Sequence, residues 1–253
     1  MKRTPRIDRL WEIDTLRGVA ILMMITYHLV WDLWAFAIVP DIDPFNGFWK
    51  YFQRATAGLF LTLVGVSLVV VTLRRLAPKA GPHDLPPVRP YLWRALRIFG
   101  WGMVVSAVMF FSGMGYVHFG ILHLIGFASI AAYPFLRYKW PNLILWLLFN
   151  TAGYFLMDRT WDFPWLLWLG WVPINYYPND YFPVIPYFGV VSLGIFLGNS
   201  LYRRDGRRFP LPDLGGFLPL RGLQWLGKRS LIIYLIHQPL LFAILWALGF
   251  IQM

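Results

Sequence analysis

Three histidines lie inside strongly apolar runs: His28 in ILMMITYHLVWDL, His123 in FGILHLIGFASI and His237 in SLIIYLIHQPLLFAIL. An ionisable group at membrane depth costs about 3 kcal/mol on insertion scales, so such positions point to chemistry or transport. An imidazole titrates near neutral pH and suits the general base that takes a proton from an attacking amine or hydroxyl. Asp32 follows His28 by four residues, which places both on one helix face. A carboxylate there can fix the ring's tautomer and support positive charge on it. His28, Asp32 and His123 are therefore the expected catalytic residues. The plainer reading of His28 and Asp32 is a hydrogen-bonded pair that tightens helix packing.

Other polar residues suit a phosphate-bearing substrate. Asp14 precedes TLRGVAIL and suits a helix N-cap, with Arg17 in the first turn. A helix N-terminus beside an Arg can hold phosphate. In His237-Gln238-Pro239 the proline lacks an N–H, so the Leu235 carbonyl loses its partner and the helix is expected to kink. A His- and Gln-bearing kinked helix suits a tunnel wall. Arg17, Asp14, His237 and Gln238 are the expected cofactor-binding residues. The plainer readings are a cap with an inside anchor, and a side chain bonded to a freed carbonyl. His118 and His123 are five residues apart, about 140° around a helix, so they form no shared metal face. No metal is expected. His83 reads as a solvated loop residue. With no cysteine, thiolate chemistry is excluded.

These groups need elements to hold them. The chain has 58% hydrophobic and 14% charged residues, far from soluble composition, so it reads as one all-α integral membrane domain over 1–253. Spans of roughly 17–25 apolar residues are expected at about 16–36, 54–73, 96–112, 119–136, 142–157, 184–201 and 230–250. The stretch 163–173, FPWLLWLGWVP, is too short and reads as interfacial or re-entrant. The basic start MKRTPRIDRLWEID has no small-residue cleavage site, so a retained first helix is expected. With the N-terminus cytoplasmic and the C-terminus outside, all of the 23 Lys and Arg except Lys50, Arg54 and Arg159 fall inside. The net charge of +11 is then a topology device aided by anionic lipid, with no nucleic-acid partner. Gly194 and Gly198 form a GxxxG packing pair. The absence of an internal repeat weighs against an inverted-repeat transporter.

By depth, Arg17 and His237 fall in the inner half, His28 and Asp32 in the middle and beyond, and His123 toward the outside. This polar path suits transfer from a cytosolic donor to an outer acceptor. It equally suits a transporter or proton-coupled carrier. Outer-loop Asp41, Asp43 and Asp180 sit among aromatics and could contact a sugar, although such composition is ordinary in outer loops.

RLWEIDTLRGVAILMMITYHLVWDL resembles the opening helix of bacterial proteins grouped with the heparan-alpha-glucosaminide N-acetyltransferase catalytic domain. The resemblance continues in order through AGLFLTLVGVSLVV, YVHFGILHLIGFASI, FPVIPYFGVVSLGIFLG and LGKRSLIIYLIHQPLL, nearly the whole chain. It implies a multi-helix transmembrane acyltransferase fold, an acyl-CoA donor (acetyl-CoA foremost) and an outer acceptor such as an amino sugar or glycan. Longer lysosomal-type members carry a histidine in the loop after the matching first helix. Here that loop is VPDIDPFNG, without one, so His28 rests on the residues themselves. The expected setting is a multi-pass protein of the inner membrane, with the lipid bilayer and acyl-CoA as partners and a homo-oligomer left open. A structural or assembly role would leave the intramembrane histidines replaceable.

Overall fold

A computed structural model describes residues 9–77, 79–156, 159–161, 163–176 and 180–251. Expectations for the basic segment 1–8, including Lys2, Arg3 and Arg6, lie outside the described residues. Eight α-helices follow in order: α1 (Trp11–Ala35), α2 (Gly47–Arg75), α3 (Arg89–Phe111), α4 (Ile121–Ala131), α5 (Trp140–Leu156), α6 (Val184–Leu201), α7 (Leu218–Lys228) and α8 (Ser230–Ala247). Five of them, α1, α2, α3, α6 and α8, are long and apolar enough to cross a membrane. The protein is an all-α, multi-pass membrane protein.

The remaining two expected spans are helical but shorter. α4 has 11 residues, about 16 Å at 1.5 Å per residue, against a hydrocarbon core of roughly 30 Å. It opens at an extended Gly120 and gives way to a 3₁₀ turn, Tyr133–Phe135, containing Pro134. Its residues are largely buried by protein, so its apolarity reflects enclosure. α5 has 17 residues. The stretch 163–173 forms no spanning helix: it holds a 3₁₀ turn, Leu167–Leu169, and a short strand β2 (Val172–Pro173) paired in parallel with β1 (Thr160–Trp161).

The described residues divide into two units, one of 64–210 and one of 9–63 with 211–251, with α2 contributing to both. In the 64–210 unit, Gly198 lies against Val66 and Val69 of α2, and Gly65 lies against the backbone at Val191 and Gly194. The GxxxG pair thus serves helix packing, as its spacing implies. An antiparallel ribbon, β3 (Tyr202–Arg203) and β4 (Gly206–Arg207), follows α6. Arg204 donates to the carbonyls of Leu76 and Ala77, satisfying acceptors left free just beyond α2.

The 9–63/211–251 unit is built on one stripe of α1. Asp14 and Gly18 meet α7, and His28, Asp32 and Phe36 meet α8. The steps of four and of ten (two threes and a four) keep these residues on one face. α7 (Leu218–Lys228) adds a short helix between the expected spans 184–201 and 230–250. A Cβ on Gly18 would collide with the Leu223 carbonyl, and one on Gly227 with the Asp14 carbonyl. Only glycine permits this approach of α1 and α7. Pro219 in the first turn of α7 fits a position whose N–H has no helical partner.

Candidate functional site

Four of the expected site residues meet where α1 and α8 pack. The His28 and His237 rings are edge-to-face with centroids 4.6 Å apart. The Gln238 side-chain amide donates to Asp32 Oδ1 at 2.6 Å. Asp32 is fully buried and His237 nearly so. α8 runs unbroken from Ser230 to Ala247 through Pro239, so the expected weakening there does not end the helix.

Backbone carbonyls set both tautomers. His28 Nδ1 lies 2.9 Å from the Met24 carbonyl, and His237 Nδ1 lies 2.6 Å from the Tyr234 carbonyl. A carbonyl only accepts, so each Nδ1 carries the hydrogen and each Nε2 is left as an acceptor. This corrects the expectation that Asp32 fixes the His28 tautomer: Met24 does so, and Asp32 is held by Gln238. It also differs from the plainer reading of His237, whose partner is the Tyr234 carbonyl rather than the Leu235 carbonyl freed by Pro239. Asp32 Oδ2, His237 Nε2 and Gln238 Oε1 are buried without a hydrogen-bond partner among the described residues. The unpaired buried atoms of the cluster are therefore acceptors. An unmatched buried acceptor costs about 1–3 kcal/mol, so a donor-bearing ligand suits it.

Asp14 is not an N-cap. α1 begins at Trp11 after Leu10, and Asp14 lies a turn inside. Its carboxylate accepts from Arg9 at 2.6 Å and from Arg17 at 3.0 Å. Trp11 and Glu12 are good enough helix formers to extend the helix upstream of the apolar run, which is why the expected start was late. Arg17 lies eleven residues before His28 on the same helix, roughly 16 Å along the axis. Its charge is partly matched by Asp14. Asp14 and Arg17 thus form one end of a line of polar groups on α1.

His123 belongs to the 64–210 unit and has a structural occupation. Its Nδ1 accepts the Gly120 N–H at 3.1 Å, closing the first turn of α4. The ring packs edge-on to Phe99, with centroids 4.9 Å apart, and against Phe119. Its Nε2, which then carries the hydrogen, is buried without a partner among the described residues. Asp180 Oδ2 accepts the Ile121 N–H at 3.2 Å, a second support for the same turn. The local sequence hides this partnership because the residues are 59 apart.

The other loop residues are similarly engaged. Asp43 accepts from the Asn46 side chain and the Phe45 N–H, which hold its carboxyl below the usual range. It shapes the turn before α2. The Tyr176 hydroxyl bonds His118 Nδ1 at 2.7 Å, and burial pushes the phenol up to about 12. His83 is not simply solvated: its ring stacks on Tyr138 at 4.8 Å. Among the described residues, no group of three or more His, Cys, Asp or Glu side chains is placed to hold a metal ion.

The family model described as heparan-alpha-glucosaminide N-acetyltransferase, catalytic, matches residues 9–239. Neither a curated protein nor a solved structure matched the chain. The family match takes in α1 through α7 and ends within α8 at Pro239, so it includes every member of the His28–Asp32–His237–Gln238 cluster. The chain belongs to the heparan-alpha-glucosaminide N-acetyltransferase catalytic-domain family.

Proposed function

We propose that the chain is a membrane-embedded acyltransferase, one domain over 1–253, that moves an acyl group, acetyl foremost, from acyl-CoA to an amine or hydroxyl. The observation that carries this reading is the cluster of His28, His237, Gln238 and Asp32, whose unpartnered buried atoms among the described residues, Asp32 Oδ2, His237 Nε2 and Gln238 Oε1, are acceptors. An incoming N–H or O–H nucleophile supplies donors to those unpaired acceptors. His28 Nε2 takes the proton as the nucleophile attacks the thioester carbonyl. The tetrahedral intermediate collapses, the C–S bond breaks, and the thiolate leaves with the proton from His28. No net proton is consumed. Asp32, one turn away, favours the transient imidazolium, and Gln238 holds Asp32 in place. His237 supplies a second acceptor for the nucleophile.

Arg17, with Asp14 orienting it, contacts the donor's phosphates near the inner end of α1. The excess of Lys and Arg in the segments expected inside supports an inner-membrane orientation with the N-terminus cytoplasmic. The acceptor, an amino sugar or glycan on the family's precedent, is then outside. His123 is the second candidate base, a role that requires its Nδ1 to release the Gly120 N–H. Purified chain in nanodiscs, given radiolabelled acetyl-CoA and glucosamine, should yield N-acetylated product. Failure to bind acetyl-CoA at millimolar concentration would remove this reading. Substrate flux into sealed vesicles without CoA would favour a carrier instead.

A further inference from the structure

α7 has a second face that the transferase reading does not use. One face packs on α1 through Leu223 and Gly227. On the rest of its surface, Arg221, Trp225, Lys228 and the following Arg229 are exposed. With Gly215 and Gln224, they line an open hollow of about 310 Å³, at the lower end of small-molecule sites of about 300–1,000 Å³.

Three features make this hollow more than a solvated basic face. The lining holds three cations and no carboxylate. Among the described residues, none of the three forms an ion pair within 4 Å, whereas Arg9, Arg17 and Arg203 each do. Second, the Arg229 guanidinium lies over the Trp225 ring, 4.4 Å from its centroid. That contact holds the planar donor fork in place before a ligand arrives. Third, the rim is fixed: buried Gln224 donates to the Gly215 carbonyl at 3.1 Å, and the Gly215 N–H donates to Asp213 at 3.0 Å. The nearby Asp213 carboxylate is thereby engaged with backbone.

We propose that this hollow is a phosphoryl-anion site, distinct from Arg17 and independent of the transferase reading. Arg229 and Arg221 offer forked N–H pairs to phosphate oxygens, and Lys228 adds a point charge. A bound anion offsets the mutual repulsion of the three cations lining the hollow. Two sources carry this chemistry. One is a nucleotide phosphate with its base over Trp225, as a CoA-type molecule has. The other is an anionic lipid headgroup, for which the exposed Leu214, Phe217 and Leu218 nearby provide apolar contact.

The test uses the full chain and reads binding alone. Wild type and the triple variant Arg221→Gln/Lys228→Gln/Arg229→Gln are placed in phosphatidylcholine nanodiscs and titrated with adenosine 3′,5′-bisphosphate by calorimetry. In the second arm, retention of phosphatidylglycerol over phosphatidylcholine is measured by native mass spectrometry. The three residues are exposed, so the variant should fold; a monodisperse elution profile and unchanged helical circular dichroism check this. At least tenfold weaker binding by the triple variant in either arm supports the site. Loss in the first arm, with a further loss on Trp225→Leu, assigns a nucleotide; loss confined to the second assigns a lipid. Wild-type binding in neither arm, or equal binding by wild type and variant in both, overturns the proposal. Because no thioester is present, a chain without acyl transfer still passes if phosphate binding is lost in the variant. An active transferase with no such difference keeps its function and loses this site.

Discussion

Replacing Gln238 by Leu isolates the contact that joins α8 to the buried carboxyl of α1. Asp32 has no exposed surface, and Gln238 is its hydrogen-bond donor at 2.6 Å. Its second oxygen already has no partner among the described residues, so the variant would leave the whole carboxyl unmatched. A hydrogen bond to a charged group contributes roughly 1.5–3 kcal/mol, and leaving a buried partner unmatched forfeits it. A loss of about 2 kcal/mol is expected, which lowers the melting temperature by about 4–8 °C for a chain of this size. Replacing both residues, Asp32→Leu with Gln238→Leu, removes the orphaned group as well. The double variant should therefore be more stable than Gln238→Leu alone. Thermal unfolding of detergent-solubilised protein, followed by circular dichroism, supplies the cycle. A shift below 1 °C for Gln238→Leu, or a double variant that melts no higher than that single variant, would refute the reasoning.

Three further outcomes follow from other contacts. Gly227→Ala forces a Cβ into the Asp14 carbonyl and should cost about 1–3 kcal/mol through overpacking, whereas Gly222→Ala, where nothing lies within 4 Å, should not destabilise; paired melting curves compare them. Asp180→Ala removes a bond to the Ile121 N–H and should cost about 1 kcal/mol, read as faster hydrogen exchange in the first turn of α4. Tyr176, raised from 10.0 to about 12, binds its proton more tightly when folded, so its stabilising contribution is present below pH 10 and is lost as pH rises toward 12; the ultraviolet titration difference between wild type and Tyr176→Phe should have its midpoint near 12, and a midpoint at 10 would contradict this.

The spanning helices were legible because α1, α2, α3, α6 and α8 are long apolar runs, the strongest one-dimensional signal a membrane chain carries. α4 shows the limit. Hydropathy is equally high in a helix enclosed by protein and in one facing lipid, so the apolar stretch 119–136 reads as a span although its α-helix covers only 11 residues. α7 was missed because Pro219, Gly222 and Gly227 lower its helical signal, yet Gly227 is what allows α1 to approach. At the site, the i, i+4 spacing of His28 and Asp32 correctly places both on the face toward α8. It could not show that Gln238, 206 residues away in sequence, is the partner of Asp32. Nor could it show that Met24 and Tyr234 set the tautomers, since main-chain carbonyls leave no trace in residue type.

The central claim, that His28 is the base of an acyl transfer, is tested most directly by single-turnover acetyl transfer from acetyl-CoA with His28→Ala. General-base action contributes about 10²–10⁴-fold, so the rate should fall by at least about 100-fold while acetyl-CoA affinity and the melting profile stay close to wild type. A rate within about threefold of wild type, far below that range, would contradict the account and pass the role to His123.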